Sequence, residues 1–268
     1  MKKILLPLIL MLIILTGCGG GEDTSENIHS TKYNRTLVVG LDEHYAPLGF
    51  RDEQGNIVGF DIDLAKETAR RMGVEFEFRP IDWNNKREEL TSGNIDIIWN
   101  GLVITAERKE YMIFSKPYMN DRQIILVSAG NPNAIHAAGD LAGKIVGTQA
   151  GSSSENYIND IPHFKESFAE FKTYRNFKDA FAELDSGDVD VLICDEIAAR
   201  YEINRIPPKF EIIEVTIGPV CEIGIGFRKD DVELRDRVQK AFDAMVADGI
   251  ARKISEQWFQ SDLIKRRR

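Results

Sequence analysis

Two stretches far apart in this chain carry the same local pattern. Leu90-Thr-Ser-Gly-Asn-Ile-Asp-Ile-Ile98 is echoed by Leu184-Asp-Ser-Gly-Asp-Val-Asp-Val-Leu192. Each reads as the end of a helix, a Ser-Gly break and an apolar strand. A unit that closes a helix and opens a buried strand, used twice, predicts two similar α/β lobes. The first copy runs on through Trp99-Asn-Gly-Leu-Val-Ile-Thr-Ala-Glu-Arg108, a loop that opens a short helix. An arginine at the exit of such a strand points to an anionic ligand.

The surrounding chain fits that reading. Strands are expected at Thr36–Gly40, Val74–Phe78 and Ile95–Trp99, with helices at Phe60–Met72, closed by Gly73, and at Lys86–Leu90. A strand near Gln123–Val127 leads to a second set: strands Lys144–Thr148, Phe171–Tyr174 and Val189–Cys194, with a helix at Phe177–Leu184. The alternation predicts mostly parallel sheets flanked by helices. Strands at Glu211–Val215 and Ile223–Phe227 precede amphipathic helices at Asp231–Asp248 and Ile250–Phe259. These last helices are expected to return to the first lobe. The chain then crosses between lobes twice, near 122–128 and 218–224, which makes a two-strand hinge. The corresponding division is 35–124 with 222–268 for lobe 1 and 125–221 for lobe 2.

The N-terminus reads as a targeting segment. Lys2 and Lys3 precede the apolar run Ile4–Leu15, which falls short of the ~20 residues a spanning helix needs. Residues 1–17 are therefore expected to be a signal peptide, and 18–34, polar and poor in apolar residues, a flexible tether. The formal charge of −9 argues against a nucleic-acid binder. Cys194 and Cys221 leave a disulfide or two small buried thiols open, the thiols being the simpler reading.

In open α/β sheets, ligands sit beyond the carboxyl ends of the strands. That places Asp42–Pro47, Asp82-Trp83, Asn100–Arg108, Gln149–Ser154 and Asp195-Glu196 at one cleft if the lobes face each other. Thr105 is placed to cap the helix of Arg108, whose fork suits a carboxylate; pairing with Glu107 or Glu110 on a solvated face is the alternative. Ser152 and Glu155 match a capping box after Gly151 and offer a second anion site or simply a helix start. Asp195 is either an N-cap or the counter-charge of an ammonium group. Asp42 holds the matching place in the first lobe. Tyr45 and Trp83 are either local staples or pocket walls. An anion clamp, a cation partner and aromatic walls together make the recognition pattern of a free amino acid.

Longer motifs carry a resemblance. Asn56-Ile-Val-Gly-Phe-Asp-Ile-Asp-Leu-Ala65, Trp99–Arg108, Phe114-Ser-Lys-Pro-Tyr118 and Gly147-Thr-Gln-Ala-Gly-Ser-Ser153 resemble the amino-acid-binding family of ABC-transporter substrate-binding lipoproteins. The likeness extends over Thr36–Leu263 and implies a type II periplasmic-binding-protein fold. It implies that Arg108 holds a ligand carboxylate with Ser152 and Ser153, and that Asp195 holds the α-ammonium. It implies further that Asn100, Gly101 and Val103 line the site, that Tyr45 and Trp83 sandwich the side chain, and that Asp42 and Gln149 read its polar end. Val103 departs from the family's Ser or Thr and loses that hydroxyl contact. The Leu15-Thr-Gly-Cys18 ending resembles a lipobox, which implies lipid on Cys18 and a place on the outer face of the cytoplasmic membrane.

The expected function is thus capture of a polar or basic amino acid, as a monomer, for ABC permease subunits, without cofactor, metal or nucleic acid. A cyclohexadienyl-type dehydratase on the same fold is the enzymatic alternative, with Glu196 or Glu43 as its acid. A sensor that docks a receptor is the third.

Overall fold

A computed structural model describes residues 35–205 and 209–265. The expected signal segment, Cys18 and the tether lie outside the described residues. The first strand, β1 (Leu37–Leu41), is followed by a small antiparallel sheet of β2 (His44–Tyr45), β3 (Gly49–Arg51) and β4 (Ile57–Val58). Helix α1 (Phe60–Met72) buries Phe60, Leu64, Ala65, Thr68 and Ala69, a helical period, and stops at Gly73 with φ +65°. Next come β5 (Phe76–Pro80), α2 (Lys86–Thr91), β6 (Ile97–Ile98), α3 (Ala106–Tyr111) and β7 (Met112–Phe114). Strand β5 begins later than the expected 74, because the Val74 N–H bonds back to Ala69 O in the helix cap.

The second set opens with β8 (Met119–Ser128), β9 (Ile145–Gln149), α4 (Ser153–Asn159) and α5 (Pro162–Lys165). It continues with β10 (Glu170–Tyr174), α6 (Phe177–Ser186), β11 (Val191–Asp195) and α7 (Glu196–Arg205). Strands β12 (Phe210–Ile223) and β13 (Gly226–Arg228) lead to α8 (Val232–Ala247) and α9 (Ile250–Phe259). Two five-stranded sheets result, in the orders β5-β1-β6-β13-β7 and β10-β9-β11-β8-β12. Each has a parallel block of three strands, a fourth strand antiparallel to it and a fifth antiparallel to the fourth. Helices α8 and α9 return to the first sheet and pack on α1. No described helix is long and apolar enough to cross a membrane.

The duplicated sequence unit does the same work in both sheets. Leu90 and Leu184 are fully buried, and Gly93 and Gly187 take φ +83° and +84° to end their helices. Asp96 accepts the Val38 N–H at 2.9 Å and returns its own N–H to Val38 O at 2.8 Å. Asp190 does likewise with Ile145, at 2.8 and 3.0 Å. The motif thus keys the strand it opens to the middle strand of its own sheet's parallel block.

The passage between sheets is narrow. Ser115 N–H donates to Ile225 O and Tyr118 N–H to Ile223 O, both at 2.9 Å, so two antiparallel segments cross together. The first crossing falls at 115–119, earlier than the expected 122–128, because β8 lies in the second sheet from Met119 onward. The segment 216–222, which lies between the two expected strands and holds most of the expected second crossing, continues β12, whose irregularity between Ile217 and Cys221 accommodates Gly218 and Pro219. As an edge strand, β12 tolerates the proline, which has no N–H to give the ladder. Cys194 and Cys221 are free thiols.

Candidate functional site

Loops at the carboxyl ends of β1, β5 and β6 meet those of β9 and β11. One cavity is lined by Asp42, Tyr45, Trp83, Asn100, Gly101, Val103, Arg108, Gln149, Ser152, Ser153 and Asp195. All the candidate ligand-site residues of the sequence are therefore together. The space left among them is about 10 Å3 for the centre of a water-sized sphere, near the least that holds one water. The two sides are closed on each other.

Arg108 is 2% exposed. Thr105 caps its helix by accepting the Arg108 N–H at 3.1 Å. The guanidinium turns inward, away from the solvated pairing with Glu107 or Glu110, and donates to Val103 O at 2.8 Å and to Gly151 O at 3.1 Å. Burial pulls its pKa down, opposed by nearby Tyr111, Glu107 and Asp195. Its Nε is buried without a partner, as is Asn100 Nδ2. Both residues line the polar cavity, and a buried donor without an acceptor costs free energy. Val103 keeps its place through the backbone: its carbonyl takes Arg108, and it bridges to Ile223 of the crossing segment.

Opposite Arg108, Asp195 ends β11 and is 7% exposed. Its carboxylate accepts from Tyr45 Oη across the cleft and from Gln123 Nε2 behind. Burial raises its pKa, while Tyr45, Gln123 and Arg108 pull it back. Asp42 accepts Gln149 Nε2 at 2.6 Å, also across the cleft, and the His44 N–H at 2.9 Å. Burial likewise raises Asp42. A neighbouring cavity of about 220 Å3 shares Asp42 and Trp83 and adds Glu43, His44, Asp82 and Arg175 to its wall. The helix start at α4 is capped by Ser152, which accepts the Glu155 N–H at 3.1 Å. Glu155 reaches back to the Gly151 N–H rather than to Ser152, so the reciprocal arm of the expected box is shifted by one residue.

Several residues around the site had no sequence signal. Asp61, at the start of α1, accepts the Gly101 N–H at 2.7 Å and the Tyr118 hydroxyl at 2.8 Å. Burial pushes Asp61 up to about 7, against both hydrogen bonds. Gln123 links Asp195 to Ser154, and Phe177 stacks on Tyr45 with ring centroids 5.8 Å apart. Lys86 is buried and donates to Gly151 O at 2.7 Å. All four lie on the faces of elements, where only packing reveals them.

The two acids considered for a lyase are otherwise engaged. Arg122 and Arg200 hold the Glu196 carboxyl below its ordinary range, which leaves it without a proton to donate. Glu43 is paired with Arg51. Among the described residues, no group of three His, Cys, Asp or Glu side chains is placed to hold a metal.

Comparison with known proteins follows the same lines. The family model for bacterial extracellular solute-binding proteins, family 3, matches residues 37–261. The arginine-binding extracellular protein ArtP of Bacillus subtilis is 33% identical over 98% of this chain and 100% of its own. The L-cystine-binding protein TcyJ of Escherichia coli is 29% identical over 89% of this chain and 88% of its own. An ABC uptake transporter substrate-binding protein from Streptococcus pneumoniae, solved with bound histidine, superposes with a TM-score of 0.82 at 32% identity. That match covers 86% of this chain and 95% of the other.

Proposed function

The chain belongs to the bacterial extracellular solute-binding proteins, family 3, and on that premise we propose that it captures a free polar or basic L-amino acid for an ABC importer. One observation carries the reading: a buried guanidinium from the first set of loops and a buried carboxylate from the second line the same cavity. A zwitterion presents the complementary pair. Arg108 takes the carboxylate, with the α4 helix start at Ser152 and Ser153 beside it. Asp195 takes the α-ammonium, and Tyr45 and Trp83 flank the side chain. Asp42 and Gln149 meet its polar end, beside a cavity whose Glu43 and Asp82 are paired with Arg51 and Arg175. The relatives that bind arginine, cystine and histidine support an amino-acid ligand with a polar side chain.

Delivery follows from closure. Ligand contacts from both sheets favour the closed state, which is the form a permease would read. Lipid on Cys18 and the tether 18–34 would hold the monomer at the outer face of the cytoplasmic membrane.

The test is a thermal-shift screen of the twenty amino acids, cystine and ornithine on the lipid-free protein. A bound ligand at a hundredfold excess over Kd should raise Tm by about 5 °C or more. Arg108→Ala should abolish the shift with the far-UV spectrum retained, and Arg108→Lys should keep part of it because the two-pronged contact is lost. Full stabilisation of Arg108→Ala would remove Arg108 from the clamp, and turnover of a prephenate-like compound would favour the lyase instead.

A further inference from the structure

Lysine is rarely buried without an acid beside it, yet Lys86 at the start of α2 is 5% exposed. Its Nζ donates to Trp83 O at 3.1 Å and to Gly151 O at 2.7 Å, and lies 5.3 Å from the centre of the Trp83 ring. The same Gly151 oxygen accepts Arg108 Nη2 at 3.1 Å. Two buried cations from the first set of loops thus share one neutral oxygen of the second, and neither is in an ion pair among the described residues. Like charges this close repel, and the carbonyls they reach, of Trp83, Val103 and the shared Gly151, are neutral and supply no counter-charge. Burial, and then the neighbouring Arg108, pull Lys86 down to about 7; Glu107, Glu155 and Asp82 act the other way without reversing it. Arg108 Nε remains a buried donor with no acceptor. The pair has more donor capacity than Gly151 O can use, and a two-oxygen anion would use it.

We propose that Lys86 is the second cation of the carboxylate site, holding the ligand carboxylate together with Arg108 while tying the loop after β5 to the loop after β9. This rests on the amino-acid reading above and deepens it. A carboxylate placed between the two cations replaces a shared neutral acceptor with a charged one, so binding favours the charged form of Lys86 that burial disfavours. The contact also fixes Trp83, whose carbonyl and ring both touch Nζ, so the anion end and the aromatic wall are set by one side chain.

Calorimetric titration of L-arginine and L-histidine, each with its carboxamide, tests this on wild type, Lys86→Met and Lys86→Arg. Lys86→Met should weaken the amino acids about ten- to a hundredfold while changing the carboxamides, which lack the negative charge, by a far smaller factor. Wild-type affinity relative to Lys86→Met should fall as pH rises through about 7, where Lys86 loses its charge. Lys86→Arg, always charged, should bind without that fall. Equal losses for amino acids and carboxamides would mean that Lys86 only shapes the loop, and unchanged affinity in Lys86→Met would remove it from the site; either result overturns the proposal. If wild type binds no amino acid at all, the amino-acid reading fails and takes this proposal with it, an outcome distinct from a normal wild type beside an unaffected variant.

Discussion

Gly101 holds a backbone conformation at φ +62° that L-residues with a side chain adopt at a cost, and it does so against Tyr45. A Cβ built there would lie 2.5 Å from Tyr45 Cε1 and 2.6 Å from Leu48 Cδ1. Its N–H is fixed by Asp61. Gly101→Ala should therefore cost ~1–2 kcal/mol from the backbone alone and, by displacing Tyr45, weaken amino-acid binding as well. Thermal unfolding together with calorimetry checks both; unchanged affinity would mean that Tyr45 does not wall the ligand. At this scale the sequence was informative wherever a residue follows a strand: Arg108, Asp195, Asp42 and Gln149 could be placed by the rule that ligands sit beyond strand ends. It was silent on Lys86, Gln123 and Asp61. Each lies on a helix or strand face whose neighbours come from distant chain, and a lysine opening a short helix reads as solvated until packing buries it.

The paired helix-break-strand units show what an element can do twice and where the copies part. Both Asp96 and Asp190 anchor the middle strand of their sheet's parallel block, but Asp96 also binds Arg35 and Arg228, at 2.6 and 2.8 Å. Burial raises the Asp96 carboxyl; Arg35, the Val38 N–H and Arg228 outweigh it and leave it at about 2, against an ordinary 3.8. The native state therefore favours the ionised form, and the stabilisation is present above about pH 4 and lost as pH falls toward 2. Asp96→Asn should cost about 2 kcal/mol at neutral pH, with the difference from wild type closing in acid. Denaturant titrations across that range measure it; a penalty constant with pH would mean that shape rather than charge is at work. Helix ends were legible because Gly73, Gly93 and Gly187 mark them. Strand limits were less so: β6 pairs only over Ile97–Ile98, and β12 runs through Gly218 and Pro219, because ladder partners and not local preference set how far a strand extends.

Across the whole molecule, cleft and hinge are one mechanical unit. Ile104 N–H donates to Glu222 O and Gly224 N–H to Leu102 O, at 2.8 and 2.9 Å, so the loop carrying Val103 and Arg108 is stitched to a crossing segment. Tyr45 to Asp195, Gln149 to Asp42, and Arg108 and Lys86 to Gly151 span the cleft, and the remaining space is too small for an amino acid. On the proposed capture, entry would require the sheets to swing apart about 115–119 and 222–225. Small-angle scattering should show a broader distribution of dimensions without ligand, narrowing and shrinking when ligand is added, and no such change for Arg108→Ala. Identical profiles with and without ligand would contradict hinge capture. The sequence alone determined the two-lobed α/β plan, the order of the main sheet strands and longer helices and the loops that carry Arg108 and Asp195, because these follow from hydrophobic period, glycine stops and a repeated motif, all local signals. Only the tertiary structure decided which groups answer each other across the cleft, that Lys86 joins Arg108 on one oxygen, and where the chain crosses. Those depend on burial and on pairing between segments distant in sequence, and neither is written in any one segment.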